Sequence, residues 1–205
     1  MSKIKFVYFD LGNVILNFTH QIMVDNVARV ASIDAAEVQK HMFDSDLENR
    51  YETGEFNSQQ FHEEFCKAAN AKCDKDAFIE ACGDIFWLKS DIVPVISQLW
   101  TANMPLGILS NTCEAHFDSA KRNFHVLGHF FDTEITSYQS KSMKPDQKIY
   151  TDAIAAAGVD ADSIFFTDDR TENVEAAIKA GIDAVLFTSA GQLTRELRDR
   201  GILIG

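Results

Sequence analysis

Five short apolar runs, rich in β-branched and aromatic side chains, punctuate the chain at residues 4–9, 105–109, 133–136, 164–167 and 184–187. Each has the length of a strand and too few polar residues to keep one face in water, so each reads as a strand buried on both sides. Most are followed by segments whose apolar residues return every three or four positions, at 114–123, 147–157, 172–180 and 192–200. That spacing lays a single apolar stripe along a helix. Gly158 and Gly181 stand where helices end, since glycine accepts the left-handed backbone of a C-terminal cap. Strands alternating with helices predict an α/β fold, a parallel sheet with helices on both faces.

Residues 19–88 break the alternation. Their apolar positions fall at helical spacing (Ile22, Val27 and Val30; Phe61, Phe65 and Ala68) with no convincing strand between them. The chain is therefore expected to divide into an α/β core of residues 1–18 and 89–205 and an inserted all-helical cap of residues 19–88. An insertion after the first strand stands over the C-terminal ends of the strands, where open α/β sheets bind ligands. A chain of 205 residues holds one domain with such an insertion, but not two large domains.

Charge sharpens this division. Residues 34–91 carry 14 Asp and Glu against 6 Lys and Arg, a net of -8 within a total of -12. So acidic a chain repels a phosphate backbone, which excludes nucleic acid as an expected partner. The first apolar run is interrupted by Lys5 and is too short for a signal sequence, and no run approaches the ~18 residues of a membrane span. A cytoplasmic protein without a membrane anchor is expected, as a monomer or weak homo-oligomer. Cys66, Cys73, Cys82 and Cys113 form no CxxC pair and read as reduced core thiols, with no cysteine and histidine close enough along the chain to suggest thiol chemistry.

The candidate chemistry gathers where the strands end. The first strand runs into Phe9-Asp10-Leu11-Gly12-Asn13-Val14, a carboxylate at a strand mouth followed by a glycine that lets backbone approach a ligand. Alone, such an aspartate is as often a turn or cap residue. The second strand ends in Leu109-Ser110-Asn111-Thr112, whose hydroxyls, amide and backbone N–H groups could cradle a phosphate or simply cap the next helix. Met143-Lys144-Pro145-Asp146 puts a lysine before a proline suited to a first helical turn. The fourth strand, Ile164-Phe165-Phe166-Thr167, delivers Asp168-Asp169-Arg170-Thr171-Glu172-Asn173. Like charges about 4 Å apart repel by roughly 4 kcal/mol at an effective dielectric of 20. A packed acidic pair therefore wants a cation, and Mg²⁺ suits one or two carboxylates plus a phosphate.

In order and spacing, these four segments (FDLGNV, LSNT, MKPD and FFTDDRTEN) resemble the four motifs of the haloacid dehalogenase superfamily, and the likeness extends over essentially the whole chain. The resemblance implies a Rossmann-like five-stranded sheet of order 5-4-1-2-3 and a hydrolase of small phosphorylated metabolites. It implies Asp10 as nucleophile and Mg²⁺ ligand, the Gly12 carbonyl and Asp169 as further ligands with Asp168 behind them, and Ser110, Asn111 and Lys144 on the phosphoryl oxygens. Phosphoryl transfer is mainly positioning and electrostatic stabilisation, which such a set provides.

One position departs from the family pattern. The commoner first motif is DxD, whose second aspartate protonates the leaving alcohol and then activates water, and here that place is Gly12. General acid–base catalysis contributes about 10²–10⁴-fold, so three readings follow. Asp168, Asn17 or His20 substitutes; the substrate has a good leaving group, as in the sugar-1-phosphate phosphatase-like branch that the FDLGNV variant resembles; or the protein binds without turnover. Metal-independent carbon–halogen hydrolysis, which relatives lacking the second aspartate perform, is the rival chemistry, and the Asp168-Asp169 pair weighs against it. His125 and His129 have zinc-pair spacing without the accompanying glutamate and read as surface or packing residues. Phe86, Trp87 and Trp100 read as core or hinge aromatics. Arg50, Tyr51 and Glu52 of RYETGEF either face the substrate or form a solvated helix end before Gly54.

Overall fold

The computed structural model describes residues 2–202. In chain order its strands are β1 (Phe6–Phe9), β2 (Leu16–Phe18), β3 (Phe86–Leu88), β4 (Leu106–Ser110), β5 (Thr133–Thr136), β6 (Ile164–Asp168) and β7 (Asp183–Leu186). The helices are α1 (His20–Ala31), α2 (Ala35–Gln39), α3 (Leu47–Glu52), α4 (Ser58–Ala68), α5 (Lys75–Gly83), α6 (Val93–Thr101), α7 (Glu114–Asn123), α8 (His125–Phe130), α9 (Ser137–Ser140), α10 (Gln147–Ala157), α11 (Thr171–Lys179) and α12 (Ala190–Asp199).

Five strands pair in parallel in the order β5-β4-β1-β6-β7, the order expected for the core. Alternation along β1 shows how the sheet holds both layers, because successive side chains in a strand point to opposite faces. Val7 and Phe9 join a cluster with Ile96 and Leu99 of α6, Phe117 of α7 and Leu193 and Leu197 of α12. Phe6 and Tyr8 point the other way, into Ile149, Tyr150 and Ala153 of α10 and Val174 and Ala177 of α11. The Tyr8 hydroxyl donates to the Ala153 carbonyl at 2.9 Å. Gly107 leaves room for the Tyr8 ring, which would lie 2.4 Å from a Cβ there.

Helices α1 to α5 occupy the stretch between β2 and β3 and share their own apolar cluster, with Met23, Val27, Val38, Met42, Phe65 and Phe78 at its centre. Cys113 and Ala115, at the start of α7, belong to the same cluster, so the insertion is seated on a core helix. The seat is close. A Cβ at Gly83 would lie 2.6 Å from the Ala115 carbonyl oxygen and 2.7 Å from Ser119 Cβ. Gly83→Ala is therefore expected to push α5 off α7 and to lower stability by about 1–3 kcal/mol, read as a lower urea midpoint with unchanged secondary structure.

Several expectations are corrected. Phe86–Leu88 form a strand where none was expected, pairing antiparallel with β2 (Leu16↔Leu88, Asn17↔Trp87, Phe18↔Phe86), because three apolar residues are too few to show alternation. Trp100 is no core or hinge residue: it is 47% exposed and packs against His129 and Phe130 on the surface of α8. Cys82 and Cys113 are buried, but Cys66 and Cys73 are half-buried and 3.8 Å apart, with His62 Nε2 3.3 Å from Cys66 Sγ. His62 and Cys66 are one helical turn apart on α4, so a cysteine and a histidine do stand close along the chain. Pro145 lies before the Asp146 N-cap of α10, outside the helix, and its peptide bond to Lys144 is cis.

Candidate active site

The carboxyl ends of β1, β4 and β6 and the loop before α10 converge on one cavity of about 160 Å³. Asp10, Gly12, Ser110, Asn111, Lys144 and Asp169 all line it. Lys144 is the hub. Its buried Nζ donates to Asp10 Oδ1 at 2.8 Å, to Asp168 Oδ2 at 2.6 Å and to the Leu109 carbonyl at 2.8 Å. Asp168 is fully buried at the end of β6 and has no spare oxygen: Oδ1 accepts from the Arg170 backbone N–H at 2.9 Å and, like Oδ2, from Asn173 Nδ2. Such a carboxylate fixes Lys144.

Asn111 locks the lysine from the other side. Its Nδ2 donates to the Lys144 carbonyl at 2.9 Å and its Oδ1 accepts from the Lys144 N–H at 2.7 Å, so its amide is spent on main chain. Ser110 is buried and does not cap α7, whose N-cap is Cys113. Asp169 is half-buried and accepts from Asn13 Nδ2 at 2.9 Å.

One ammonium faces three carboxylates. Burial above all, with added repulsion from Asp168 and Asp169, outweighs Lys144 and pushes the Asp10 carboxyl up to about 7. Oxygen atoms of Asp10, Asp168 and Asp169 lie within 4.8 Å of one another. Hard oxygen donors with unbalanced negative charge fit Mg²⁺. Removing the lysine should expose how much depends on it. In Lys144→Met the carboxylates are left buried without their counter-ion, which is expected to cost about 3–5 kcal/mol at neutral pH. A carboxyl with a raised folded-state pKa favours the fold at low pH and opposes it as pH rises through that value. The deficit against wild type should therefore shrink between pH 7.5 and pH 5 in urea titrations.

Gly12 has a neighbour that explains its size. A Cβ there would lie 2.7 Å from Cε1 of Phe18, so the ring of β2 fills the space that the usual second aspartate would need. Of the residues weighed as its replacement, Asp168 is fully hydrogen-bonded, Asn17 is not among the cavity-lining residues, and His20 stands at the cavity rim, its imidazole pKa lowered by partial desolvation.

Glu52 is a further carboxylate at the cavity. Of Arg50, Tyr51 and Glu52, only Glu52 lines the cavity, 16% exposed at the end of α3. Arg50 turns outward to Glu55 and the Phe56 ring. Tyr51 is buried, its hydroxyl accepting from the Ala115 N–H at 3.0 Å. The segment is fastened to the core: Ser137 Oγ donates to the Glu52 carbonyl at 2.7 Å, and Lys141 donates to the carbonyl of Gly54. Gly54 has φ +71°, and any Cβ there would collide with the Tyr138 carbonyl. RYETGEF is thus no solvated helix end. Burial raises the Glu52 carboxyl to about 7, Glu48 beside it opposes the rise by hydrogen bonding, and the charge of Asp10 adds to it. His116, buried and held neutral by that burial, has Nδ1 4.0 Å from Glu52 Oε1. Arg170, Asn173 and Asn13 are further site residues that the motifs contain without announcing a role.

Known proteins resemble this chain in fold and, over a short stretch, in sequence. Flavin mononucleotide hydrolase 1, a chloroplast protein of Arabidopsis thaliana, is 37% identical over 59 residues, a stretch spanning 29% of this chain and only 24% of that protein. A HAD family enzyme from Bacteroides thetaiotaomicron has a TM-score of 0.81 at 20% identity, covering 95% of this chain and 98% of that one. The same enzyme in complex with magnesium and inorganic phosphate gives 0.79 at 19% identity, over 91% and 95% of the two chains. A HAD-like family hydrolase from Porphyromonas gingivalis gives 0.81 at 22% identity, over 96% and 99%. These distant likenesses carry the fold. No helix among the described residues is long and apolar enough to cross a membrane. The sequence profile of the haloacid dehalogenase-like hydrolases matches residues 4–181, from β1 through α11 with the helical segment between β2 and β3 included, and the chain belongs to that family.

Proposed function

We propose that this hydrolase is a Mg²⁺-dependent phosphomonoesterase for a small phosphorylated metabolite, working through a phosphorylated Asp10. The observation that carries the reading is the Asp10–Asp168–Asp169 cluster around Lys144 on the cavity floor, which leaves negative charge for a cation to offset. Asp10, Asp169 and the Gly12 carbonyl would hold Mg²⁺, with Asp168 adding charge behind them, and the cation would supply charge neutralisation at the phosphoryl group.

The chain's own residues divide the remaining work. Lys144 and the Ser110 hydroxyl draw the phosphoryl oxygens toward Asp10, and Asn111 keeps Lys144 in register with that loop. Asp10 attacks phosphorus and the ester oxygen leaves. Glu52 gives that oxygen its proton, then takes one from the water that cleaves the aspartyl phosphate, the work that Gly12 cannot do. Residues 19–88 act as the cap that keeps bulk water out.

Cavity size supports a small substrate. A space of about 160 Å³, adjoined by one of about 30 Å³, is below the roughly 300–1,000 Å³ of pockets for drug-sized ligands. A phosphate with a short polyol or sugar fits that scale, in keeping with the sugar-1-phosphate branch that FDLGNV resembles. Flavin mononucleotide would require the helices above the cavity to move apart. The deciding measurement is phosphate release from sugar phosphates, glycerol phosphates and flavin mononucleotide, with Mg²⁺ and with chelator. Release that stops on chelation is expected; hydrolysis of a halo-acid that survives chelation would replace this reading with dehalogenation.

A further inference from the structure

Outside the active site, three soft ligand atoms meet in the helical insertion. Cys66 Sγ lies 3.3 Å from His62 Nε2 and 3.8 Å from Cys73 Sγ, and Cys73 Sγ lies 3.8 Å from His62 Nε2. His62 and Cys66 occupy successive turns of α4, so both side chains leave the same helix face. Cys73 is brought to them by the short connection that turns the chain back from α4 into α5. The histidine ring is held against the edge of Phe78, with centroids 5.3 Å apart, and its Nε2 is 3.0 Å from the Cys73 carbonyl oxygen, a contact that metal binding replaces as the ring proton moves to Nδ1.

We propose that His62 Nε2, Cys66 Sγ and Cys73 Sγ form a Cys₂His site for a thiophilic divalent cation, Zn²⁺, with solvent as fourth ligand. Tetrahedral zinc with Zn–S of about 2.3 Å and Zn–N of about 2.05 Å requires S···S of about 3.8 Å and S···N of about 3.6 Å. The three separations match that triangle to within a few tenths of an ångström. All three residues are half-buried, which leaves one side open for a water. Two thiolates and a neutral imidazole around Zn²⁺ sum to zero charge, so the site adds nothing to the acidity of residues 34–91. None of the three lines the catalytic cavity, so the cation would join α4 to the chain entering α5 and take no part in turnover. Each thiol yields its proton to solvent on binding.

The test uses the reduced full-length chain with Co²⁺ and Zn²⁺ as probes. One Co²⁺ per chain should produce sulfur-to-cobalt charge-transfer absorption in wild type and equally in Asp169→Asn, which disables the carboxylate site instead. Cys66→Ser and Cys73→Ser should abolish that absorption and weaken Zn²⁺ binding by at least about 100-fold, while His62→Ala should alter the visible cobalt bands. Zn²⁺ should raise the melting temperature of wild type and not of the serine variants. The proposal fails if reduced wild type gives no charge-transfer absorption, if Zn²⁺ binds the serine variants as tightly, or if Cys66 and Cys73 are recovered as a disulfide in the presence of Zn²⁺.

Discussion

Asp10→Asn should abolish phosphate release, by about 10⁴-fold or more, in a protein that remains folded. The amide keeps the shape of the carboxyl but is not a nucleophile. Its effect on stability follows from the charges around Lys144, whose Nζ is 2.8 Å from Asp10 Oδ1 and 2.6 Å from Asp168 Oδ2. Removing one of the two carboxylates in contact with the lysine leaves it paired directly with Asp168 alone. The urea midpoint should therefore shift by no more than about 1 kcal/mol, unlike that of Lys144→Met. Acid quench of wild type during turnover should leave labelled phosphate on Asp10 and none on the variant. An Asp10→Asn protein with activity within tenfold of wild type would mean that some other group attacks.

Glu52→Gln should reduce kcat for an alkyl phosphate by about 10²–10³-fold, and the pattern across substrates should show why. With 4-nitrophenyl phosphate the leaving group needs no proton, so Asp10 is still phosphorylated and one equivalent of nitrophenolate appears in a burst. The steady state that follows should be slow, because the water that cleaves the aspartyl phosphate has lost its base. A purely structural role for Glu52 would depress burst and steady state together. In wild type the acid must carry its proton to donate it, so kcat for the alkyl ester should fall as pH rises through the pKa of Glu52, which burial lifts to about 7. That alkaline limb should be missing from the variant. Loss of less than tenfold on the alkyl ester would remove Glu52 from the mechanism. Gly12→Asp should not rescue the variant, since Phe18 occupies the space.

The parts of this molecule that could be read from sequence are those whose causes are local. Buried strands announce themselves as apolar runs, helices as a stripe, and the four strand-end motifs keep their order because the sheet fixes where each loop emerges. What escaped depends on contacts distant in sequence. Glu52 faces the cavity because Ser137, Lys141 and Ala115 hold its segment, and nothing within RYETGEF distinguishes its side chain from that of Arg50. The use of Asn111 as a brace for Lys144 rests on a pairing 33 residues apart. Helix α6 leaves little amphipathic trace because most of its residues are apolar, and the β2–β3 ribbon is too short to show a period. The Cys₂His cluster was half visible, as a histidine and a cysteine one turn apart; Cys73 enters only through the fold.

The ribbon of β2 and β3 sets the two ends of the helical segment side by side, about one strand spacing of 4.8 Å apart. At such a junction a lineage can exchange one inserted segment for another while the sheet beneath is left alone. In relatives that carry both aspartates in the first motif, the exchange would change selectivity and spare the chemistry. Here Phe18 holds the place of the second aspartate, and Glu52, by our reading, comes with the insert. This branch would then inherit its proton carrier and its selectivity as a single unit, and a transplanted insert without an equivalent glutamate would bring a new specificity at the cost of turnover.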